Sequence, residues 1–287
     1  MDDKHALELD WANHFMHWVT LGKFNLLEKP DDERPSRKGG HPDFRFEDDA
    51  KREYVLELTR LMKKELRNLE KFLLASVSRP IGNQLPGTYV LQIPVDAIGR
   101  NWIDPQVAQE TVVEISQLVR SGTLGQAQKL RSGFVLTRVR EDGGKLVVQL
   151  VAPELPYDLA LNDPIAKDLG KEFRSIVQEA DQKFQGYTGA RVLLIGLAQS
   201  GLNHEFHAGR SKDGKGIMLM WADNEGKALR NIDYIYVEPG ISVWQPGLSS
   251  GETLTLRNIF VGHRYTDSKA GHYVLLWQRT GTPGLLR

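Results

Sequence analysis

The sequence predicts a mixed α/β protein in which a central mixed sheet is flanked by helices. Segments with helical and with strand periodicity alternate early in the chain, and strand candidates cluster towards its end. Hydrophobic residues make up 40% of the 287 residues, which is enough for a sizeable core. No linker is evident after residue 41, so we expect one domain over 1–287, with an elaborated middle region and a strand-rich C-terminal part.

The composition excludes several classes of protein. Lysine and arginine together number 37 and are balanced by 37 acidic residues, so a globally basic nucleic-acid coat is excluded while a local basic patch is not. The chain has no cysteine, which excludes disulfides, thiolate zinc sites and a cysteine nucleophile. Neither a secretory signal nor a run of roughly 20 apolar residues is present, so we expect a soluble, cytoplasmic protein without a membrane partner.

The first 60 residues predict a helix, an exposed loop and a hairpin. Helical spacing places four residues on one face of a helix over 5–19, namely Leu7, Trp11, His14 and Trp18. The stretch 28–41 is rich in proline, glycine and charge, and predicts an exposed loop. Two strand-like segments around a polar turn, 44–46 and 54–58, then predict a hairpin.

The remaining elements follow from periodicity and turn signals, and we interpret 80–165 as an elaboration of the core. Asp104-Pro105 and Asp163-Pro164 favour helix starts. The predicted helices are 62–73, 107–119 and 165–185. The predicted strands are 88–93, a hairpin of 134–140 with 145–151, then 192–195, 217–221, 232–237, 241–244, 253–261 and 272–278.

Two acidic residues on the predicted hairpin carry the strongest chemical signal. Asp43 opens the first strand, and Glu57 interrupts the apolar run 54–58, where an unpaired charge is costly. In a twisted hairpin the two carboxylates can converge, and carboxylate oxygens are the ligands that Mg²⁺ or Mn²⁺ prefers. Two plainer interpretations stay open: Asp43 as a turn residue that binds its own backbone, and Glu57 as an edge-strand or ion-paired glutamate.

The order of helix, Pro42-Asp43-Phe44, strand, Glu57-x-Thr59 and basic helix resembles the PD-(D/E)XK superfamily, the restriction-endonuclease-like nucleases. The resemblance covers 5–75 best and extends weakly to 173–195 and 231–237. It implies a restriction-endonuclease-like fold and a hydrolase that cleaves phosphodiester bonds in DNA. It further implies Mg²⁺ or Mn²⁺ bound by Asp43 and Glu57, with Glu8 as a loose match to a glutamate of the first helix.

The chain departs from this family pattern at Thr59, which stands where the pattern has a catalytic lysine. If the lysine has moved to a neighbouring element, Lys63 and Lys64 are the candidates, and Thr59 would orient water through its hydroxyl. The alternative is a catalytically degenerate nuclease fold that binds nucleic acid or protein. A third possibility is a structural or assembly protein unrelated to nucleic acid, and a homo-oligomer stays open for all three.

Overall fold

The structure is a computed structural model that describes residues 3–21, 23–61, 64–94, 104–141, 144–151, 164–197, 216–238, 242–243, 254–255 and 273–285. Its helices are α1 (Asp3–Thr20), α2 (Pro30–Glu33), α3 (Lys64–Leu73), α4 (Arg79–Ile81), α5 (Pro105–Arg120), α6 (Pro164–Lys183) and α7 (Ile217–Gly226), with a π-helical turn, Leu74–Ser78, between α3 and α4. Its strands are β1 (Phe24–Glu28), β2 (Phe44–Asp48), β3 (Glu53–Arg60), β4 (Thr88–Pro94), β5 (Ala127–Lys129), β6 (Val135–Arg140), β7 (Lys145–Val151), β8 (Ala190–Gly196), β9 (Tyr234–Glu238), β10 (Ser242–Val243), β11 (Leu254–Thr255) and β12 (Val274–Gln278). None of the described helices is long and apolar enough to cross a membrane.

A six-stranded mixed sheet forms the centre of the fold, with strand order β1-β2-β3-β8-β9-β12. Strands β1, β2 and β3 are antiparallel to one another, and β3, β8 and β9 run parallel. Strand β12 closes the far edge antiparallel to β9. The predicted mixed α/β class is therefore confirmed, and so are the predicted hairpin of β2 with β3 and the strands that became β8, β9 and β12.

Both faces of this sheet are covered by helices, which is why its central strands read as nearly continuous apolar runs. Helices α6 and α7 pack on one face, around Val55, Leu193 and Ile235. Helix α1 packs on the other face through Ala12, Phe15, Met16 and Val19, which are fully buried. This contact face is rotated from the predicted one, because His14 and Trp18 lie at its flank and are only half-buried.

A second sheet lies between β3 and α6 in the sequence, with strand order β5-β6-β4-β7. Its residues have a hydrophobic cluster of their own, to which α3, α5 and the π-helical turn contribute Leu66, Leu73, Val77 and Ile115. Helix α5 begins as predicted, because the Asp104 side chain accepts a hydrogen bond of 2.8 Å from the Gln106 backbone N–H. The middle of the chain therefore builds a separate sheet with its own core.

The predicted hairpin of 134–140 with 145–151 is wrong, although both strands exist. Strand β4 lies between them, because Thr88 pairs with Arg140 on one side and with Lys145 on the other. The turn residues predict a reversal of direction, which does occur, but they carry no information about a third strand that enters the gap.

The predicted strand 217–221 is also wrong, because it is the start of helix α7. A short apolar run cannot be assigned to strand or buried helix by periodicity alone. The predicted strands 241–244 and 253–261 are described only at β10 and β11, which pair with each other.

The segment 28–41 carries more structure than the predicted exposed loop. It holds α2, and its residues Pro30 and His41 are buried. The strand before it, β1, is an edge strand that exposes Leu26 and Leu27, so it lacks the alternating pattern by which a strand is predicted.

The turn between α6 and β8 supplies a matched pair of tests. Gly186 and Gly189 both have positive φ, but a Cβ at Gly189 would lie 2.7 Å from the Glu53 carbonyl oxygen, whereas one at Gly186 would meet nothing within 4 Å. We expect Gly189→Ala to lower the free energy of unfolding by about 1–3 kcal/mol more than Gly186→Ala, because only the former adds a steric clash to the backbone strain. Urea unfolding measures both, and equal losses would contradict the described turn.

Candidate active site

Glu57 lies near the end of the central strand β3 and its side chain faces α6. Side chains alternate along a strand, and its neighbours Leu56 and Leu58 belong to the cluster under α1, whereas Val55 belongs to the cluster under α6. Only 7% of Glu57 is exposed. A carboxylate this deeply buried requires charged or hydrogen-bonding partners.

Asp43 lies beside Glu57 because of the register of the β2–β3 hairpin. Phe44 pairs with Leu56, so Asp43, one residue earlier, is opposite Glu57. Asp43 Oδ2 accepts a hydrogen bond of 2.7 Å from the Leu58 backbone N–H. The side chain is therefore fixed by a backbone group of the neighbouring strand, and the predicted proximity of the two carboxylates is present in the fold.

A lysine that was not predicted completes this pair. Lys183 is the last residue of α6, and its Nζ lies 2.6 Å from Glu57 Oε1. Its side chain is 25% exposed, so the ion pair lies at the boundary between core and solvent. The only signal in the sequence is that Lys183 falls next to the apolar stripe of a predicted helix, between the buried residues Ala180 and Phe184.

Of the other predicted site residues, Thr59, Lys64 and Glu8 lie on three different elements of the fold. Thr59 lies on β3 two residues after Glu57, so it shares the same face and is half-buried. Lys63 lies outside the described residues, and Lys64 begins α3. Glu8 is half-buried on α1, close enough to Asp43 for its charge to raise the pKa of that carboxyl. Asp31 of α2, an exposed residue that was not predicted, acts in the same direction.

The electrostatics of the site follow from burial and crowding of negative charge. Burial raises the pKa of Asp43 to about 6, although the Leu58 N–H and the charge of Lys183 lower it. Burial also raises the pKa of Glu57 well above its ordinary value, and the charge of Asp43 adds to this rise. Burial is the largest single effect on the pKa of Lys183 and lowers it, but the charge and hydrogen bond of Glu57, together with the charges of Asp43 and Asp31, make the net shift upward.

The donor atoms of the two carboxylates fit a hard divalent cation. Glu57 Oε1 accepts a hydrogen bond from Lys183, whereas Glu57 Oε2 is buried and has no hydrogen-bond partner among the described residues. Within the described ranges no group of three or more His, Asp or Glu side chains could hold a metal ion. Magnesium, however, is commonly held by one or two carboxylates, with water and substrate phosphate as its other ligands. Asp43 and Glu57 could therefore hold such an ion.

Comparison with known proteins identifies no matching family model, no similar curated protein and no similar solved structure. The functional assignment therefore depends on three side chains from three different elements. Asp43 precedes β2, Glu57 lies on β3 and Lys183 ends α6. Together they place two carboxylates and an ammonium group at the same point of the central sheet.

The ion pair itself can be tested without a substrate. Lys183→Met leaves Glu57 buried without its cation, so we expect the free energy of unfolding to fall by about 3 kcal/mol at alkaline pH and by less at lower pH, where Glu57 takes up a proton. Adding Glu57→Gln to that variant removes the uncompensated charge and should restore part of the loss. Lys167→Met, at an exposed position on the same helix, is the matched control and should change little. If Lys183→Met is as stable as Lys167→Met, the described ion pair does not contribute.

Proposed function

We propose that the protein is a metal-dependent nuclease that hydrolyses phosphodiester bonds in DNA. The observation that carries the proposal is the Asp43 carboxylate opposite that of Glu57, because the ion pair of Glu57 with Lys183, 2.6 Å long, would alone fit the plainer interpretation of an ion-paired glutamate. A pair of carboxylates with a nearby lysine is the set of groups that the PD-(D/E)XK resemblance implies. A mixed sheet with helices on both faces agrees with the fold that it implies.

Lys183 resolves the departure at Thr59 within this proposal. The residue at the motif position has no charge, but Lys183 supplies a cation to the same carboxylate from another element. An ammonium group at this place would stabilise negative charge that develops on a phosphate during the reaction. Lys183 therefore takes the role that we assigned to Lys63 or Lys64 from the sequence, and Thr59 remains a candidate for orienting water.

Asp43 and Glu57 would hold Mg²⁺ or Mn²⁺, which on binding supplies Lewis acidity to a phosphoryl oxygen and makes water a stronger nucleophile. The chain's own contribution is to keep these carboxylates in place. Leu58 N–H fixes Asp43, and Lys183 fixes Glu57 Oε1, while Oε2 has no partner in the part of the chain that the structure describes. The reaction adds water across a P–O bond, and the departing oxygen takes up a proton.

Cleavage of plasmid DNA in Mn²⁺ tests this function. We expect Asp43→Asn and Glu57→Gln each to abolish cleavage and Lys183→Met to slow it about 100-fold or more, since it removes a charge that stabilises the transition state. Lys167→Met should cleave at the wild-type rate. DNA binding should persist in all variants, because metal positioning and phosphate contact are separate functions.

Two outcomes contradict the proposal in different ways. If the wild-type protein binds DNA but does not cleave it in any divalent metal, the result supports the alternative of a catalytically degenerate nuclease fold that binds nucleic acid. A wild-type protein that neither binds nor cleaves DNA belongs to another functional class, such as an assembly protein. Full activity of the Asp43→Asn variant would remove this residue from the site.

Thermal melts with and without Mn²⁺ test the metal site alone. Asparagine retains an oxygen that accepts the Leu58 N–H, and it removes the repulsion between two carboxylates, so we expect apo Asp43→Asn to melt at or above the wild-type temperature. An ion at 100 times its Kd stabilises a folded protein by about 2.7 kcal/mol, and this gain should disappear in the variant.

Asp49→Asn, which removes an exposed carboxylate in the β2–β3 turn, is the control for that experiment and should keep the full gain from Mn²⁺. An Asp43→Asn protein that melts lower without metal and gains as much from Mn²⁺ as the wild type would defeat the metal site.

A further inference from the structure

The end of α6, where Lys183 lies, is contacted by the segment that precedes β2. Arg37 donates its Nε to the Gly40 carbonyl at 2.7 Å, its Nη1 to the Gln185 carbonyl at 2.8 Å and its Nη2 to the Lys183 carbonyl. The last carbonyls of a helix have no partner within the helix and favour a nearby cation. Arg37 therefore caps the residue that carries the functional ammonium group.

A second contact lies one turn further along the chain. Tyr187 shares a hydrogen bond of 2.8 Å with His41 Nδ1, and both residues are buried. His41 Nε2 lies 2.9 Å from the Pro35 carbonyl. Because a carbonyl only accepts, Nε2 carries the proton. The guanidinium groups of Arg34 and Arg37 stack over the Tyr187 ring at 5.0 and 5.3 Å from its centre.

The segment between these contacts passes close to the end of α6. Gly39 and Gly40 both have positive φ. A Cβ at Gly40 would lie 3.5 Å from Lys183 Cε, and one at Gly39 would lie 3.5 Å from Gln182 Cβ. The positive φ of the two residues is the reason for glycine here, because a Cβ at either position would make only an ordinary van der Waals contact with Gln182 or Lys183.

We propose that Arg37, Gly39, Gly40 and His41, which we call the α6 clamp, hold Lys183 in the position from which it pairs with Glu57. Arg37 is a positioning residue. It donates a hydrogen bond to the Lys183 carbonyl, and its effect does not depend on a contact with either carboxylate. The inference rests on the proposed function for its catalytic consequence, but the fixation of Lys183 can be measured independently.

The physical reason for a clamp is the location of Lys183 at a helix end. A terminal helical residue is held by fewer backbone hydrogen bonds than an interior one, and a lysine side chain has many rotamers. An ammonium group that acts on a phosphate must be held close to its productive position, because a misplacement of about 1 Å can cost about 100-fold in rate. Two carbonyl bonds from one rigid guanidinium fix the backbone from which that side chain extends.

Lysine acylation tests the clamp without any need for activity. The wild type, Arg37→Ala and Arg37→Lys are treated with a limiting amine-acylating reagent at one pH, below their melting temperatures, and peptides are quantified by mass spectrometry. We expect Lys183 to react several-fold faster in Arg37→Ala, because its chain is released from the ion pair, and Lys167 and Lys171 to be unchanged. Lys38→Ala removes an exposed charge beside Arg37 and should leave Lys183 protected.

Kinetics then separate positioning from general damage. Arg37→Ala should lower kcat about tenfold or more and leave KM for DNA within about twofold. In a Lys183→Met background the same change should have no further effect on kcat, since the residue that it positions is absent. Arg37→Lys, which keeps the charge but cannot span two carbonyls, should lie between wild type and Arg37→Ala.

The outcomes distinguish this inference from the function on which it rests. Unchanged acylation of Lys183 in Arg37→Ala, or equal losses of kcat from Arg37→Ala with and without Lys183, overturns the clamp. An inactive wild type whose Lys183 becomes reactive in Arg37→Ala overturns the nuclease proposal and leaves the clamp supported. If Arg37→Ala does not fold, Gly40→Ala replaces it, because the positive φ of Gly40 makes alanine strain the same segment beside Lys183.

Discussion

The buried carboxylate of Glu57 is the constraint on which the rest of the site depends. A charge in the middle strand of a sheet covered on both faces is tolerated only if a cation and polar groups reach it. Helix α6 meets this need because it ends beside β3 and places the Nζ of Lys183 on one carboxylate oxygen. The other oxygen has no hydrogen-bond partner within the described ranges, and a buried ion pair of this kind often adds no more stability than apolar residues would. What sets Glu57 apart from a structural ion pair is the second carboxylate, Asp43, which lies opposite it.

The end of α6 is held from two sides, which makes it a suitable place for a charged side chain that must not move. On one side Arg37 binds the carbonyls of Lys183 and Gln185. On the other side Asp181 Oδ1 accepts backbone N–H groups of residues 230–232, at distances of 2.7 to 3.1 Å, just before β9 begins. Hydrogen bonds thus join the helix end both to the segment before β2 and to the chain that enters β9. The backbone that carries Lys183 is therefore fixed on two sides.

The parts of the fold that could be predicted from sequence are those fixed by local pattern. The β2–β3 hairpin, Glu57 as an interruption of an apolar run, and helix α6 all follow from periods of two or 3.6 residues. Lys183 could not be predicted, because it is 126 residues from Glu57 and only the packing of α6 on β3 brings them together. Local pattern also failed where the topology is not local, since β4 enters between β6 and β7, and where the apolar run that begins α7 is too short to distinguish helix from strand.

In the sequence, the second sheet lies between Glu57 and Lys183. In space, it does not separate the strands of the central sheet. Glu57 precedes this sheet and Lys183 follows it, yet β3 and β8 are hydrogen-bonded neighbours, and the second sheet closes its own hydrophobic cluster. The exit from β3 is joined to α3 by the two hydrogen bonds, of 2.8 and 2.9 Å, between Arg60 and Glu70. Because the second sheet has a core of its own, changes in its far strands can occur without moving the ion pair. The central sheet therefore holds the ion pair of Glu57 with Lys183, and the second sheet packs around a hydrophobic cluster of its own.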